Sequence, residues 1–406
     1  MSFAAGAFLA VASGLPSVGG TEQALGTSAP VILFLFSLFL FAGALERAGA
    51  LDHLARWILG RARTASELPA VLFLGFGVAA AFLVNDALVL IGVPLLISVA
   101  RRIRVPPAPL LLVLAFSVTV GSVLTPFGNP QNLLVSIESG VSAPVSTFLR
   151  YLLLPTAINL GVGAWYVHRT LGAQVRADPA DFDRLRTERP PLFPSGGWGE
   201  RLRRSPVLFL FPGTMAVAIT LDVTAALTNG PVIPIWETVG AGAILLLLVS
   251  SGRTELFGRV DWSILILFGA LFVVVAALVS GGVIAAAESV FPIPGPGAGS
   301  AALAPILGTS FLGPQVVSNV PWVALQIPIL TGLGYGSSTP TAWMALAAGS
   351  TLAGNVTLLG AASNIIVADL AGREKIPFRL GTFFRYGAPL AAITFVVLAA
   401  CLYFGL

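Results

Sequence analysis

Apolar runs long enough to cross a bilayer follow one another along the whole chain, separated by short polar connections. Ala29–Leu45, Val207–Leu227 and Ile264–Val279 each reach, with their flanks, the roughly 20 residues that span a hydrocarbon core of about 30 Å. Phe3–Leu15 lacks the basic flank of a secretion signal and reads as one more membrane helix. The pattern predicts an all-α polytopic membrane protein. Two kinds of segment depart from it. In "SVLTPFGNPQNLLV", residues 122–135, prolines, a glycine, two asparagines and a glutamine sit inside otherwise apolar sequence. In "AFLVNDALVL" an apolar run is broken by Asn85-Asp86, and in "VSNVP" by Ser318-Asn319.

Composition agrees with the pattern. Hydrophobic residues make up 56% of the 406 and charged residues only 10%, against about 25% charged in soluble domains. The single cysteine, Cys401, excludes an internal disulfide and a multi-cysteine metal site. No P-loop and no nucleophile–base set occurs at membrane depth, so an enzyme or an ATP-driven pump built from this chain alone is not expected, nor is any cofactor. Nothing in the sequence points to nucleic acid; the lipid bilayer is the evident partner.

Placement of charge sets the topology. Basic residues cluster at Arg47–Arg63, Arg101–Arg104, Arg169–Arg204, Arg253–Arg259 and Arg373–Arg385, and are missing from 1–46 and 105–149. The positive-inside rule puts the clusters in the cytoplasm. The N-terminus is then cytoplasmic and the C-terminus external, in a bacterial or archaeal plasma membrane. Both ends of Leu68–Val99 carry flanking arginines, and about 32 residues are too few for two spans and a turn. A re-entrant hairpin with its tip at Asn85-Asp86 fits. Ala301–Leu330, tipped by Ser318-Asn319, has no basic residue at either end and reads as a second hairpin entering from outside.

The chain repeats itself. "TVGSVLTPFGNPQN" at Thr119–Asn132 aligns without gaps on "TLAGNVTLLGAASN" at Thr351–Asn364, matching Thr119/Thr351, Thr125/Thr357, Gly128/Gly360 and Asn132/Asn364. The hairpin tips, and Arg150 with Arg385, fall in the same order at nearly the same offset, which indicates duplication. The first repeat covers 1–170: scaffold helices 1–60, hairpin 68–100, interrupted helix 109–138 and helix 147–170. A linker, 171–205, is mixed in charge, carries "RPPLFPSGGWG" and reads as solvated. The second repeat covers 206–406: scaffold helices 206–283, hairpin 301–334, interrupted helix 341–371 and helix 380–404. Nine crossings and two hairpins result. Val207–Leu227 is the odd crossing that inverts the second repeat, and it has no counterpart before Phe3: either the first half has one helix fewer or the chain start is late. Inverted repeats meeting at discontinuous helices characterise secondary transporters.

A broken helix frees carbonyls at one new end and N–H groups at the other, giving sites for cations and anions respectively. Pro126, Gly128 and Pro130 forbid continuous helix in the first break. Thr125, Asn129, Gln131 and Asn132 add neutral oxygens and amide donors, and Asn355, Thr357, Gly360, Ser363 and Asn364 supply the equivalent set in the second. Such groups suit Na⁺, a hard cation, or grip an oxyanion; alternatively they only repair hydrogen bonds lost at a kink. Asp86 is the one ionisable side chain expected near mid-membrane, where a carboxylate ligates a cation, carries a proton or caps the helix that follows.

These stretches carry a family resemblance. "LVNDALVLIGVP", "LTPFGNPQNLL", "SNVPWVAL" and "AGNVTLLGAASNIIV" resemble the signature regions of the ion transporter superfamily. That group holds the divalent anion/sodium symporters, citrate carriers, arsenite efflux permeases and a class of sodium/proton antiporters. The chain most resembles bacterial "anion transporter" permeases. The resemblance implies a dimerising scaffold domain and a transport domain moving as an elevator, hence a homodimer. Substrate contacts are implied at Asn85, Thr125, Asn129, Asn132, Ser318, Asn319, Thr357, Ser363 and Asn364. Coupling is implied at Asp86, Gly128, Gln131, Asn355 and Gly360, with Na⁺ among Asn85, Asp86, Asn132, Asn319 and Asn364. The tips read Asn-Asp-Ala and Ser-Asn-Val rather than the symporters' Ser-Asn-Thr, and Asn-Asp is closer to the arsenite and antiporter branches. The expectation is a secondary transporter of a small inorganic or carboxylate anion, coupled to Na⁺ or H⁺. The alternatives are arsenite or antimonite efflux, sodium/proton antiport, and a channel-like or non-transporting scaffold.

Overall fold

The structure, a computed structural model, describes residues 18–187, 205–228, 230–282 and 292–405, together with Ala7 and Gly14. The expected span Phe3–Leu15 and the "RPPLFPSGGWG" stretch lie outside or almost wholly outside these residues. Everything regular among them is helical. Among the described residues seven helices are long and apolar enough to cross a membrane.

The first half runs α1 (Val18–Arg47), α2 (Ala50–Leu59), α3 (Leu68–Ala80), α4 (Asn85–Arg102), α5 (Pro107–Gly121), α6 (Pro130–Glu138) and α7 (Pro144–Leu171). A short α8 (Pro179–Thr187) follows. The second half runs α9 (Val207–Thr228), α10 (Ile235–Val249), α11 (Arg253–Gly258), α12 (Trp262–Ser280), α13 (Leu303–Leu312), α14 (Pro314–Val317), α15 (Asn319–Gly332), α16 (Pro340–Ala353), α17 (Ala362–Arg373) and α18 (Leu380–Phe404). Proline sits in the first turn of α3, α5, α6, α7 and α16, where its missing N–H costs nothing and its fixed φ suits the helix.

The centre of the molecule is made of two half-helices. Every residue of α5 from Pro109 and of α16 from Ala342 is buried, as expected for helices apolar all round. The α3–α4 pair packs on α5, and α13 with α15 packs on α16. The continuations are exchanged: α17 lies against α4 and α6 against α15, while α7 and α18 pack on each other. Close approach is possible because of glycine. A Cβ on Gly121 would lie 1.8 Å from the carbonyl oxygen of Gly77, so α3 and α5 meet backbone to backbone.

Polar contacts between distant segments also join the connections outside this centre. At the basic end Arg259 pairs with Glu46 at 2.9 Å, Arg101 with Glu374 at 2.7 Å and Arg104 with Asp181 at 3.7 Å. His168 Nδ1 lies 3.0 Å from the Ser66 carbonyl, also at this end. At the other end Tyr335 donates to the Pro294 carbonyl at 2.7 Å. There Asp222, 2% exposed, accepts from Val145 N at 3.0 Å and from Ser146 N and Oγ, both at 2.7 Å. Asp222 thus caps α7 from α9.

Part of the expected linker is helical, with Asp178, Pro179, Ala180, Asp183 and Arg184 exposed. Residues 179–187 form α8, which packs on α4 and buries Phe182 to 4% exposure.

Candidate functional site

The first break begins where α5 ends at Gly121. Pro126 and Pro130 cannot continue the ladder, and Gly128 lies so close to other backbone that a Cβ would stand 2.4 Å from the Ser122 carbonyl oxygen and 2.8 Å from that of Ala80. The freed carbonyls do not stay free. Asn132 Nδ2 donates to Ser122 O at 2.9 Å, Val123 O at 3.1 Å and Thr125 O at 3.0 Å. Asn129 caps α6 by accepting from Asn132 N at 2.8 Å, and its own amide donates to Ser122 O and Oγ at 3.1 and 3.0 Å. The α3–α4 turn is stitched to this break. Thr125 Oγ1 donates to the Ala81 carbonyl, and Asn85 N donates to Gly128 O at 3.0 Å.

The second break repeats the central device without proline. Asn364 Nδ2 donates to Gly354 O at 2.7 Å and Thr357 O at 3.4 Å, the same positions, ten and seven residues back, that Asn132 serves. Its connection to the neighbouring hairpin is different. Thr357 Oγ1 donates to Gln315 Oε1 at 3.0 Å, and Gln315 Nε2 donates to Ala353 O at 2.8 Å. Gln315 was not singled out from sequence; its place three residues before the Ser318 tip is the only signal. At both tips the asparagine oxygen accepts the next residue's N–H, Asp86 N to Asn85 and Val320 N to Asn319, each at 2.9 Å. Ser318 has φ +70°, a left-handed conformation rare outside glycine and a local strain.

The two breaks touch. Thr351 Oγ1 receives Gln131 Nε2 at 3.1 Å and Asn129 Nδ2 at 3.4 Å, and lies 3.4 Å from Asn132 Oδ1. Asn355 Nδ2 donates to the Phe116 carbonyl at 3.3 Å. The structure therefore brings Asn85, Thr125, Gly128, Asn129, Gln131 and Asn132 into one bonded set. That set is joined through Thr351 and Asn355 to the chain carrying Thr357, Gly360, Ser363 and Asn364. Asn319 and Ser318 approach through the Gln315 arm.

Bonding leaves the breaks unequal. Asn355 Oδ1, Ser363 Oγ and Asn364 Oδ1 are buried with no hydrogen-bond partner among the described residues, on side chains at most 1% exposed. No polar side-chain atom of Thr125, Asn129, Gln131 or Asn132 is in that condition. An orphaned buried oxygen costs about 1–3 kcal/mol, and three neutral oxygens beside freed carbonyls match the donor set of a hard cation. The residues fit Na⁺ at the second break; at the first, the same residue types are occupied with one another. Asp86 stands apart. It is 4% exposed, and no hydrogen bond or ion pair among the described residues reaches its carboxylate. It lies in the first turn of α4 without capping it. Among the described residues no group of three or more His, Cys, Asp or Glu is placed to hold a metal.

Comparison with known proteins accords with this architecture. The sequence profile of the citrate transporter family, CitMHS, matches residues 1–349. "Uncharacterized transporter Rv2684" of Mycobacterium tuberculosis is 29% identical over 384 residues, covering 92% of this chain and 85% of that protein. The "silicon efflux transporter LSI3" of rice is 24% identical over 410 residues, covering 85% and 79%. Among solved structures, the YdaH transporter of Alcanivorax borkumensis superposes with a TM-score of 0.58 at 14% identity, over 96% of this chain and 87% of that one. With interrupted helices and hairpins in a YdaH-like fold and a profile match over most of its length, the chain belongs to the CitMHS citrate transporter family of membrane transporters, within the ion transporter superfamily.

Proposed function

We propose that this chain is a secondary transporter that moves a small anion or oxyanion by alternating access, coupled to Na⁺ or H⁺. The observation that carries the reading is the set of orphaned oxygens of Asn355, Ser363 and Asn364, buried where a helix is broken. A cation there would satisfy all three and complete the charge balance for an anion between the tips. The substrate meets Asn85, Ser318 and Asn319 and the N-terminal ends of α4, α6, α15 and α17, which carry partial positive charge. Asp86, buried and unpaired, is the group through which a proton or a second cation would act.

The architecture is read as two inverted repeats. The equivalent roles of Asn132 and Asn364 and the exchanged packing of α6 and α17 support it. The end that carries the basic clusters is taken as cytoplasmic. The hairpins with the broken helices would then move as a unit against α1, α9, α10 and α12.

A second reading is export of a neutral, hydroxide-like solute such as arsenite or antimonite. No lysine or arginine is among the site residues, and the rice relative is named for silicon efflux. A thermal-shift screen of the purified protein across carboxylates, sulfate, phosphate, arsenite, antimonite and silicic acid selects between them. Proteoliposome uptake of the ligand found should accelerate under an inward Na⁺ or H⁺ gradient. Flux that follows the solute's own gradient at the same rate with neither ion gradient present refutes coupling.

A further inference from the structure

Outside the breaks, a groove of about 550 Å³ opens on the side of the molecule between α2, α3 and the start of α9. Its walls are apolar: Leu74, Val78 and Phe82 from α3 and the turn after it, Leu54 and Trp57 from α2, and Phe211 from α9. The one charged residue in the lining is Arg61, at the basic end. Its guanidinium lies over the Trp57 ring at 4.1 Å, and it has no anionic partner among the described residues. Arg56, by contrast, is paired with Asp52 at 3.8 Å.

The dimensions narrow the occupant. From Val71 the groove follows α3 to its end at Ala80, about 14 Å at 1.5 Å per residue, and continues to Phe82 in the turn after it, close to half of a hydrocarbon core of about 30 Å. That is the depth of one leaflet. Its open rim is apolar and its mouth holds a cation stacked on a tryptophan, the arrangement expected at a headgroup level. We propose that this groove binds a phospholipid with an anionic headgroup, its phosphate on Arg61 and one acyl chain laid along α3.

The site has a functional position. The far end of the groove is Phe82 and Leu83, and the carbonyl of Ala81 is the one that accepts the Thr125 hydroxyl of the first break. The chain terminus therefore packs against the turn that presents Asn85 and Asp86. One wall belongs to α2 and α9, the other to α3, so the lipid bridges the hairpin to its surroundings.

Native mass spectrometry of the full chain tests it, using phosphatidylglycerol and phosphatidylcholine of matched acyl chains. The wild type should retain phosphatidylglycerol in preference. Arg61→Ala should remove that preference, a loss of about fivefold for one cation near the surface, and Arg61→Lys should keep most of it. Val78→Trp, which fills the groove from an exposed position, should lower retention of both lipids while melting at the wild-type temperature in lipid-free detergent. The proposal falls if the wild type shows no preference, or if neither variant changes retention. It also falls if millimolar inorganic phosphate displaces the lipid as well as lipid displaces itself, which would make Arg61 a free-anion site. Val78→Trp dissociating a dimer with lipid retention unchanged would assign the groove to a second copy and overturn it equally.

Discussion

Removing the hydroxyl of Ser363 should make the protein more stable in one salt and less stable in another. Ser363 Oγ is buried and unpartnered, so Ser363→Ala takes away a desolvation penalty of about 1 kcal/mol and leaves no new orphan. If the same oxygen is a Na⁺ ligand, the variant also loses cation affinity. At Na⁺ a hundredfold above its dissociation constant, binding contributes about 2.7 kcal/mol; with affinity a hundredfold weaker, only about 0.4 kcal/mol remains. For 406 residues, an unfolding entropy of about 2.1 cal/mol/K per residue turns 2.7 kcal/mol into about 3 °C. The wild type should therefore melt about 3 °C higher in NaCl than in choline chloride. Ser363→Ala should start about 1 °C above wild type in choline and rise by less than about 1 °C in Na⁺, so the two titrations cross. Differential scanning fluorimetry in a neutral detergent reads both. A full 3 °C rise in the variant would refute the assignment. So would a variant that is destabilised equally in both salts, which would give Ser363 an ordinary packing role.

Three further outcomes follow from the geometry. Asp222→Ala, which orphans the Val145 and Ser146 donors, should cost about 3 kcal/mol, and Asp222→Asn about half as much, measured by thermal unfolding; equal, negligible losses would discount the cap. Gly121→Ala should lower the melting temperature by several degrees because its methyl meets the Gly77 carbonyl, whereas Gly161→Ala, facing open space, should be neutral. Asp86→Asn should flatten the pH profile of proteoliposome flux, and an unchanged profile would remove Asp86 from coupling.

The breaks were legible because proline, glycine and amide side chains are out of place in apolar helix. The hairpin tips were legible because Asn85-Asp86 and Ser318-Asn319 interrupt apolar runs. Sequence could not show how the polar groups divide their bonds. Asn132 and Asn364 occupy equivalent positions, yet Asn132 Oδ1 has a partner in Thr351 and Asn364 Oδ1 has none among the described residues. That difference depends on Thr351, which approaches the first break from across the molecule. Asp222 was equally opaque, since its donors lie 77 and 76 residues away and a carboxylate near a helix end is ordinary in water. Phe182 docks α8 through one contact face that no periodicity announces.

The hydroxyl of Thr351 works as a pin through both halves, held on one side by its own helix at Ala347 and on the other by Gln131 and Asn129. Any displacement that separates the two breaks must therefore first give up the bonds that Gln131 and Asn129 make to this one hydroxyl.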